Sequence, residues 1–468
     1  MESPEPKLNV MKDATKKYSR KEVFGWITYD WANSAFYTIV ITVLGGPYLQ
    51  ALARADVGED GVVYSFGTLG SVTPESMIPF FLGISILMQV FFLPLLGAIA
   101  DFTHLKKSLM LGFSYLGVIA SGLLFFIVGD NYLIGCLLLS VSNMFFAAAN
   151  VFYNAFLIDV APEADRDSVS SRGYALGYLS GVVILVACLL FLQSSATFNL
   201  DKGLAVRICM LASSLWWGLF SIVTFATLRR REAPKAVPPG SNLLTIGFSG
   251  IGVTLRDLAK LPKTLRFLLA YLFYNDGIQT VILTSSIFIN YELFVSRGIA
   301  SAKTVIGELP AEEFLIVVFL IAQVGAVLGS LGFNQLSKLL GAKRTILVCL
   351  GIWCSIVAFA FNFLDTPGQA QLMGAMIGSV LGSTQALSRS LFSQLIPPGR
   401  ESSFFGFYEI SEKGTSWMGT MVFSIVVAAE GSYRKGILAV ATFFVIGFVI
   451  LLFTDTDAGI REAAGLKE

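Results

Sequence analysis

Twelve long apolar runs, each bounded by charges or Gly/Pro clusters, recur along the sequence. They lie near residues 24–49, 78–100, 108–128, 132–158, 173–193 and 206–227, and again near 266–289, 312–334, 345–364, 369–392, 404–428 and 435–454. Each matches the ~20 residues that carry a helix across a hydrocarbon core about 30 Å thick. In that solvent a helix is the one open-ended element that satisfies its own backbone polar groups. The chain is 55% hydrophobic and 14% charged, with a mean hydropathy of +0.71, which excludes an ordinary soluble enzyme. The expected fold class is an all-α membrane protein of twelve transmembrane helices.

Other functions fall away on composition. A net charge of +1 leaves no basic field for nucleic acid. His104 is the only histidine, so no metal centre needing two is available. All five cysteines sit inside apolar runs and read as small core residues. No phosphate-binding G-x-x-x-x-G-K-[ST] loop occurs, which disfavours nucleotide-driven transport. No cofactor or metal is expected.

The runs divide six and six. A polar, lysine-rich segment, 1–23, precedes a first bundle, 24–228. A connector, 229–265, opens with Arg229-Arg230-Arg231 and continues through Pro234, Pro238 and Pro239. Within it, Thr254 to Lys260 has the spacing of a short interfacial helix. A second bundle, 266–454, and a tail, 455–468, complete the chain. Of the 33 Lys and Arg residues, 24 fall in alternate loops on the side of the termini and connector, and 7 on the other. The positive-inside rule therefore predicts that both termini are cytoplasmic. The halves also echo each other: a shift of 242 sets Asn33 on Asn275, and one of 237 sets Lys106-Lys107 on Lys343-Arg344. That pattern suggests a duplicated six-helix unit.

Polar residues inside the spans are the functional candidates, because burying them in a bilayer is expensive. Asp30 lies about 9 Å into the first span, where it either couples charge by facing a partner or a water-filled cavity, or serves as a hydrogen-bonding residue at a helix end. Asn33 and the pair Asn275-Asp276 lie deeper and are expected to line the solute path, with Gln385. Asn143, Asn150 and Asn154 form one stripe of span 4, with Tyr153 beside it; the stripe faces a neighbouring helix or an aqueous path. Span 11 holds Glu409, Glu412 and Lys413 on one face. A Glu409–Lys413 ion pair would leave Glu412 to exchange a proton as its surroundings change. Gly173, Gly177 and Gly181 are expected to let span 5 approach a neighbour closely. Arg389 is placed either to snorkel from span 10 or to gate, together with Asn154.

The turn after span 2, Gly97-Ala98-Ile99-Ala100-Asp101-Phe102-Thr103-His104-Leu105-Lys106-Lys107, resembles the G-x-L-x-D-x-x-x-x-K/R-K/R signature of the major facilitator superfamily. His104 stands where that signature has a glycine, and Lys338 takes the Asp position in the second half. The resemblance implies that Gly97, Asp101, Lys106 and Lys107 lock the inward-closed bundle. Tyr29-Asp30-Trp31-Ala32-Asn33-Ser34-Ala35-Phe36-Tyr37, Asn150-Val151-Phe152-Tyr153-Asn154-Ala155, Gln385-Ala386-Leu387-Ser388-Arg389-Ser390-Leu391 and Phe404-Phe405-Gly406-Phe407-Tyr408 are similar to the vacuole-effluxer branch of that superfamily. This implies a twelve-helix, two-bundle carrier that exports amino acids or similar solutes, with protons as possible coupling ions. Its expected partners are a small solute and membrane lipid. Its expected location is a bacterial inner membrane, or alternatively a vacuolar one. A non-transporting receptor or scaffold on the same fold is the competing reading, and a membrane-embedded enzyme the weaker one, since no nucleophile–base set is visible.

Overall fold

The computed structural model describes residues 18–465 except 59–60, 66–70, 232–242, 295, 297–304, 307–308 and 414–416. The expectations for residues 1–17 and for the proline-rich part of the connector lie outside the described residues. Helix α1 (Arg20–Phe36) continues through a π-helical segment (Tyr37–Leu44) into α2 (Gly45–Val57), giving a first span of 38 residues. The first half then adds α3 (Pro74–Asp101), α4 (Lys106–Gly122), α5 (Tyr132–Val160), α6 (Arg166–Gln193) and α7 (Lys202–Thr227). Connector helix α8 (Leu243–Ala259) leads to α9 (Pro262–Leu293), α10 (Ala311–Leu340), α11 (Ala342–Phe363) and α12 (Pro367–Gln394). Then come α13 (Glu401–Lys413), α14 (Trp417–Glu430), α15 (Tyr433–Leu452) and the short α16 (Thr456–Gly465). Two antiparallel pairs of two-residue strands, Tyr64–Ser65 with Ser71–Val72 and Val305–Ile306 with Leu309–Pro310, lie in the loops before α3 and α10.

Among the described residues, nine helices are long and apolar enough to cross a membrane. The other three spans are α9, α12 and the α13–α14 pair, which include the polar sequences around Asn275, Arg389 and Glu409. Helix starts follow local chemistry. Thr73 and Ser76 form a capping box with Pro74 in the first turn of α3, and Thr366, Gln369 and Pro367 repeat the device on α12. Asp201 accepts the Gly203 and Leu204 N–H groups at the start of α7. At α16, Asp455 accepts the Ala458 N–H, which holds its carboxyl below the usual carboxylate range. Four of the five cysteines are buried and Cys354 is half-buried, all unbridged.

Large apolar side chains such as Leu87, Phe91, Leu219, Leu283 and Leu328 are exposed on the outer faces, as lipid-facing residues are. Inside the molecule, α3 meets α13, and α6 meets both α10 and α12, so these pairs join the two halves. The crossing of α3 and α13 depends on glycine on both sides. A Cβ on Gly97 would overlap the Ser402 carbonyl, and one on Gly406 would lie 2.9 Å from the Leu93 carbonyl. Likewise α6 presents Gly173 and Gly177 to Asp30 and Ser34 of α1, and Gly181 to Thr38.

Helix termini at Arg20, Asp101, Lys106, Val160, Thr227, Pro262 and Leu452 share one end of the molecule, here called the connector end. There Arg231 pairs with Glu22 at 2.8 Å, Lys106 with Asp159 at 3.0 Å and Arg400 with Asp257 at 2.9 Å, and Lys263 pairs with Glu462 of α16. The connector helix is longer than the expected stretch at Thr254–Lys260. It also packs on protein, with Gly247 and Gly250 against Leu95, Ile99 and Ala98 of α3 and with Thr254 buried.

Candidate functional site

At the connector end, a buried arginine joins the halves. Arg389, on α12, is 2% exposed, so it does not snorkel to the membrane surface. Its Nε donates to Ser170 Oγ at 2.9 Å and its Nη2 to the Ser170 carbonyl at 3.0 Å. Its Nη1 donates to Asn154 Oδ1 at 3.3 Å, and its Nη2 reaches Asp30 Oδ2 at 3.4 Å. The guanidinium also lies 4.2 Å from the ring centre of Tyr174, 4.7 Å from that of Trp26 and 5.3 Å from that of Tyr153. All of these partners belong to the first half. Asp30 is held in turn by the Tyr153 hydroxyl, which donates to it at 2.6 Å, while Trp26 stacks on Tyr153 and donates to its carbonyl. Asp30 thus has a charge partner across the interface.

Asn154 has a second role. Its Nδ2 donates to Glu409 Oε1 at 2.6 Å, so one amide touches an acid and a base of the opposite half. This contact gives Glu409 a buried donor from the opposite half, while the expected Glu409–Lys413 pair lies outside the described residues. An acid inside a span is best compensated by a buried donor, and α5 brings one to it. Lys413 ends α13, and its side chain lies outside the described residues.

The turn after span 2 also bridges the halves, chiefly through its acid. Asp101 accepts the Ser402 and Ser403 N–H groups, each at 2.9 Å, and the Ser403 hydroxyl. It therefore caps the start of α13, where free N–H groups and the helix dipole favour an anion. Lys106 pairs with Asp159 of its own half and shares a cavity with Glu401 of the second, and Lys107 donates to the Leu228 carbonyl. A lysine at a helix start has carbonyls and an acid of its own bundle nearer than the other half. In the second half Lys338 bonds to Gln335 of its own helix. The matching contact is built with the acid on the opposite element. Asp167, at the start of α6, accepts the Ser390 hydroxyl at 2.5 Å and lies beside that of Ser337 at the end of α10.

Further contacts across the interface join Ser170 to the Ala386 carbonyl at 2.7 Å and Arg166 to the Ser393 carbonyl at 3.2 Å. Deeper in the spans, Asn33 donates to Asn150 at 3.1 Å and Tyr178 to Gln385 at 2.6 Å, the latter between halves. Glu412 acts electrostatically on the hydroxyls of Tyr37, Tyr174 and Tyr178 from one half and of Tyr271 and Tyr408 from the other. Asn275 donates to the Glu412 carbonyl at 2.7 Å. Asp276 is fully buried, and its Oδ2 accepts the Gly419 N–H of α14. One helical step of 100° separates it from Asn275, enough to turn it into the second bundle. Sequence reasoning missed Trp26, Tyr174, Tyr178, Asp167 and the serines at 170, 390, 402 and 403. The clusters Asp167-Ser168-Val169-Ser170-Ser171 and Ser388-Arg389-Ser390 were the available signal, since small polar residues inside spans mark close interfaces.

Comparison with known proteins agrees with this architecture. The family profile described as vacuole effluxer Atg22 like matches residues 18–164 and 158–464. The chain is 31% identical to a Bacillus subtilis protein described as an uncharacterized MFS-type transporter, YxiO, over 96% of this chain and 98% of that one. It is 25% identical to autophagy-related protein 22 of Coccidioides immitis, over 97% and 90%. Among solved structures, the proton:xylose symporter XylE superposes with a TM-score of 0.68 at 12% identity, covering 93% of this chain and 96% of that one. The E. coli fucose:proton symporter FucP gives 0.65 at 12% identity, over 95% and 99%. The fold is that of the major facilitator superfamily, and the matched proteins are transporters rather than enzymes.

Proposed function

Because the chain belongs to the vacuole effluxer Atg22-like family, a multi-pass membrane transporter family, we propose that it exports an amino acid or a similar small solute by proton-coupled alternating access. The observation that carries this reading is the Arg389 cluster, which ties the two bundles together at one end through contacts that must separate for that end to open. The distribution of basic residues supports a cytoplasmic connector end. The full-length match to a bacterial relative supports a bacterial cell membrane. In this scheme Asn33, Asn150, Tyr178, Gln385 and Asn275 border the solute path, and Glu412, facing tyrosines of both halves, is the acid that gains and loses a proton as the bundles rock.

Purified protein in liposomes, tested against a panel of amino acids with and without a pH gradient, checks the proposal. The expected result is saturable flux accelerated by the gradient. Glu412→Gln should abolish pH-driven accumulation yet keep solute exchange at equal pH. Binding without flux would favour a receptor, and flux that never saturates a channel. Normal pH-driven accumulation by Glu412→Gln would leave the Glu409–Glu412 region as a structural network.

A further inference from the structure

Near the middle of α9, away from the Arg389 cluster, buried oxygens collect without hydrogen-bond partners among the described residues. Asp276 is the fifteenth of the 32 residues of α9, about 21 Å from its start, which puts it near the centre of the bilayer. Its Oδ2 accepts the Gly419 N–H at 2.7 Å, while its Oδ1 has no partner. One turn on, Thr280 is also fully buried, and its hydroxyl has no partner. This is unusual within the same helix: the Thr284 and Ser285 hydroxyls both donate to the carbonyl four residues back. Both side chains converge on Gly419, where an added Cβ would overlap Thr280 Oγ1 and lie 3.0 Å from Asp276 Oδ2. Asn275 Oδ1 is likewise without a partner among the described residues, and its Nδ2 donates to the Ser411 and Glu412 carbonyls.

A buried carboxylate with an unused oxygen is costly unless a positive charge compensates it. The groups around it are hard oxygens, and one carboxylate supplies one negative charge, which suits a monovalent cation rather than a divalent one. We propose that Asp276 and Thr280 form a sodium-binding site inside the second bundle, distinct from the solute path, whose occupancy is coupled to transport. The coupling rests on the carrier reading above; the binding itself does not. Because α9 also carries Asn275 to the Glu412 carbonyl, an ion at Asp276 would hold α9 and the eleventh span in one fixed relation.

Thermal unfolding of the full-length protein in detergent tests binding, with sodium, potassium or choline chloride at equal ionic strength. Sodium should raise the apparent Tm by about 2–4 °C over choline. Asp276→Asn keeps an acceptor for the Gly419 N–H, so it should fold, and it should lose the rise. Thr280→Val, which keeps the shape but not the hydroxyl, should lose most of it and serves if the first variant does not fold. Equal Tm values in sodium and choline would overturn the site, leaving a capping carboxylate satisfied by a proton or a water. Retention of the full shift by Asp276→Asn would overturn it as well. In liposomes, solute flux unchanged when choline replaces sodium would overturn the coupling while the carrier reading stands. No flux in either salt, with the sodium shift intact, would instead count against the carrier reading.

Discussion

Arg389→Met is expected to yield a folded protein whose transport is slowed at least about 100-fold and whose connector end stands open. The guanidinium is buried, is bound to Ser170, Asn154 and Asp30, and lies over three aromatic rings, all in the opposite half. Removing one partner of a buried pair costs about 3–5 kcal/mol, because the other charge is left uncompensated. Here that cost falls on the closed state alone, since opening lets water reach Asp30. A bias of this size moves a two-state equilibrium by more than about 100-fold. Thiol-reactive labelling of a cysteine placed at Ser393 should speed up in parallel. Combining Arg389→Met with Asp30→Asn should restore part of the closed population, because no charge is then stranded. Turnover within a few-fold of the parent for the single variant would show that Arg389 does not hold the gate.

Asp101→Ala should slow turnover about 10-fold with solute binding nearly unchanged. The carboxylate joins the halves by accepting two backbone N–H groups and one hydroxyl at the start of α13. Losing a helix cap costs about 0.5–2 kcal/mol, and hydrogen bonds to a charged acceptor about 1.5–3 kcal/mol each, part of which water recovers at this end of the molecule. The site is a helix terminus, remote from Asn33, Asn150 and Gln385, so affinity has no reason to follow turnover. Comparing Kd with the rate of solute exchange separates the two quantities. An equal loss in both would place Asp101 in binding or folding. Asp101→Asn keeps an acceptor but not the charge, and should fall between the parent and the alanine variant.

Much of the architecture could be read along the chain because each part depends on neighbours in sequence. Spans follow from uninterrupted apolar length. Asn154 and Arg389 were recognisable as polar residues in costly places, and so was Asp30. Their mutual contacts were not recognisable, because helical periodicity tells which face a residue occupies and not which helix is brought against it. Glu409 shows the consequence. The local rule offers Lys413 four residues on and gives no sign of Asn154, 255 residues away, which donates to Glu409 at 2.6 Å. The lysines after Asp101 show the same limit from the other side. The motif groups them with the acid, yet the packing gives Lys106 to Asp159 and Lys107 to a carbonyl of its own half.

The central claim is that transport requires the two halves to part at the connector end. Ser170 on α6 and Ala386 on α12 meet there, with the serine hydroxyl donating to the alanine carbonyl at 2.7 Å. Cysteines placed at both positions and bridged by a short bis-methanethiosulfonate reagent would tie α6 to α12. The most direct measurement is solute flux in liposomes before bridging, after it, and after the bridge is cleaved by reductant. The account predicts transport in the unbridged protein, its loss on bridging and its return on reduction. Undiminished flux through protein that is fully bridged would contradict it.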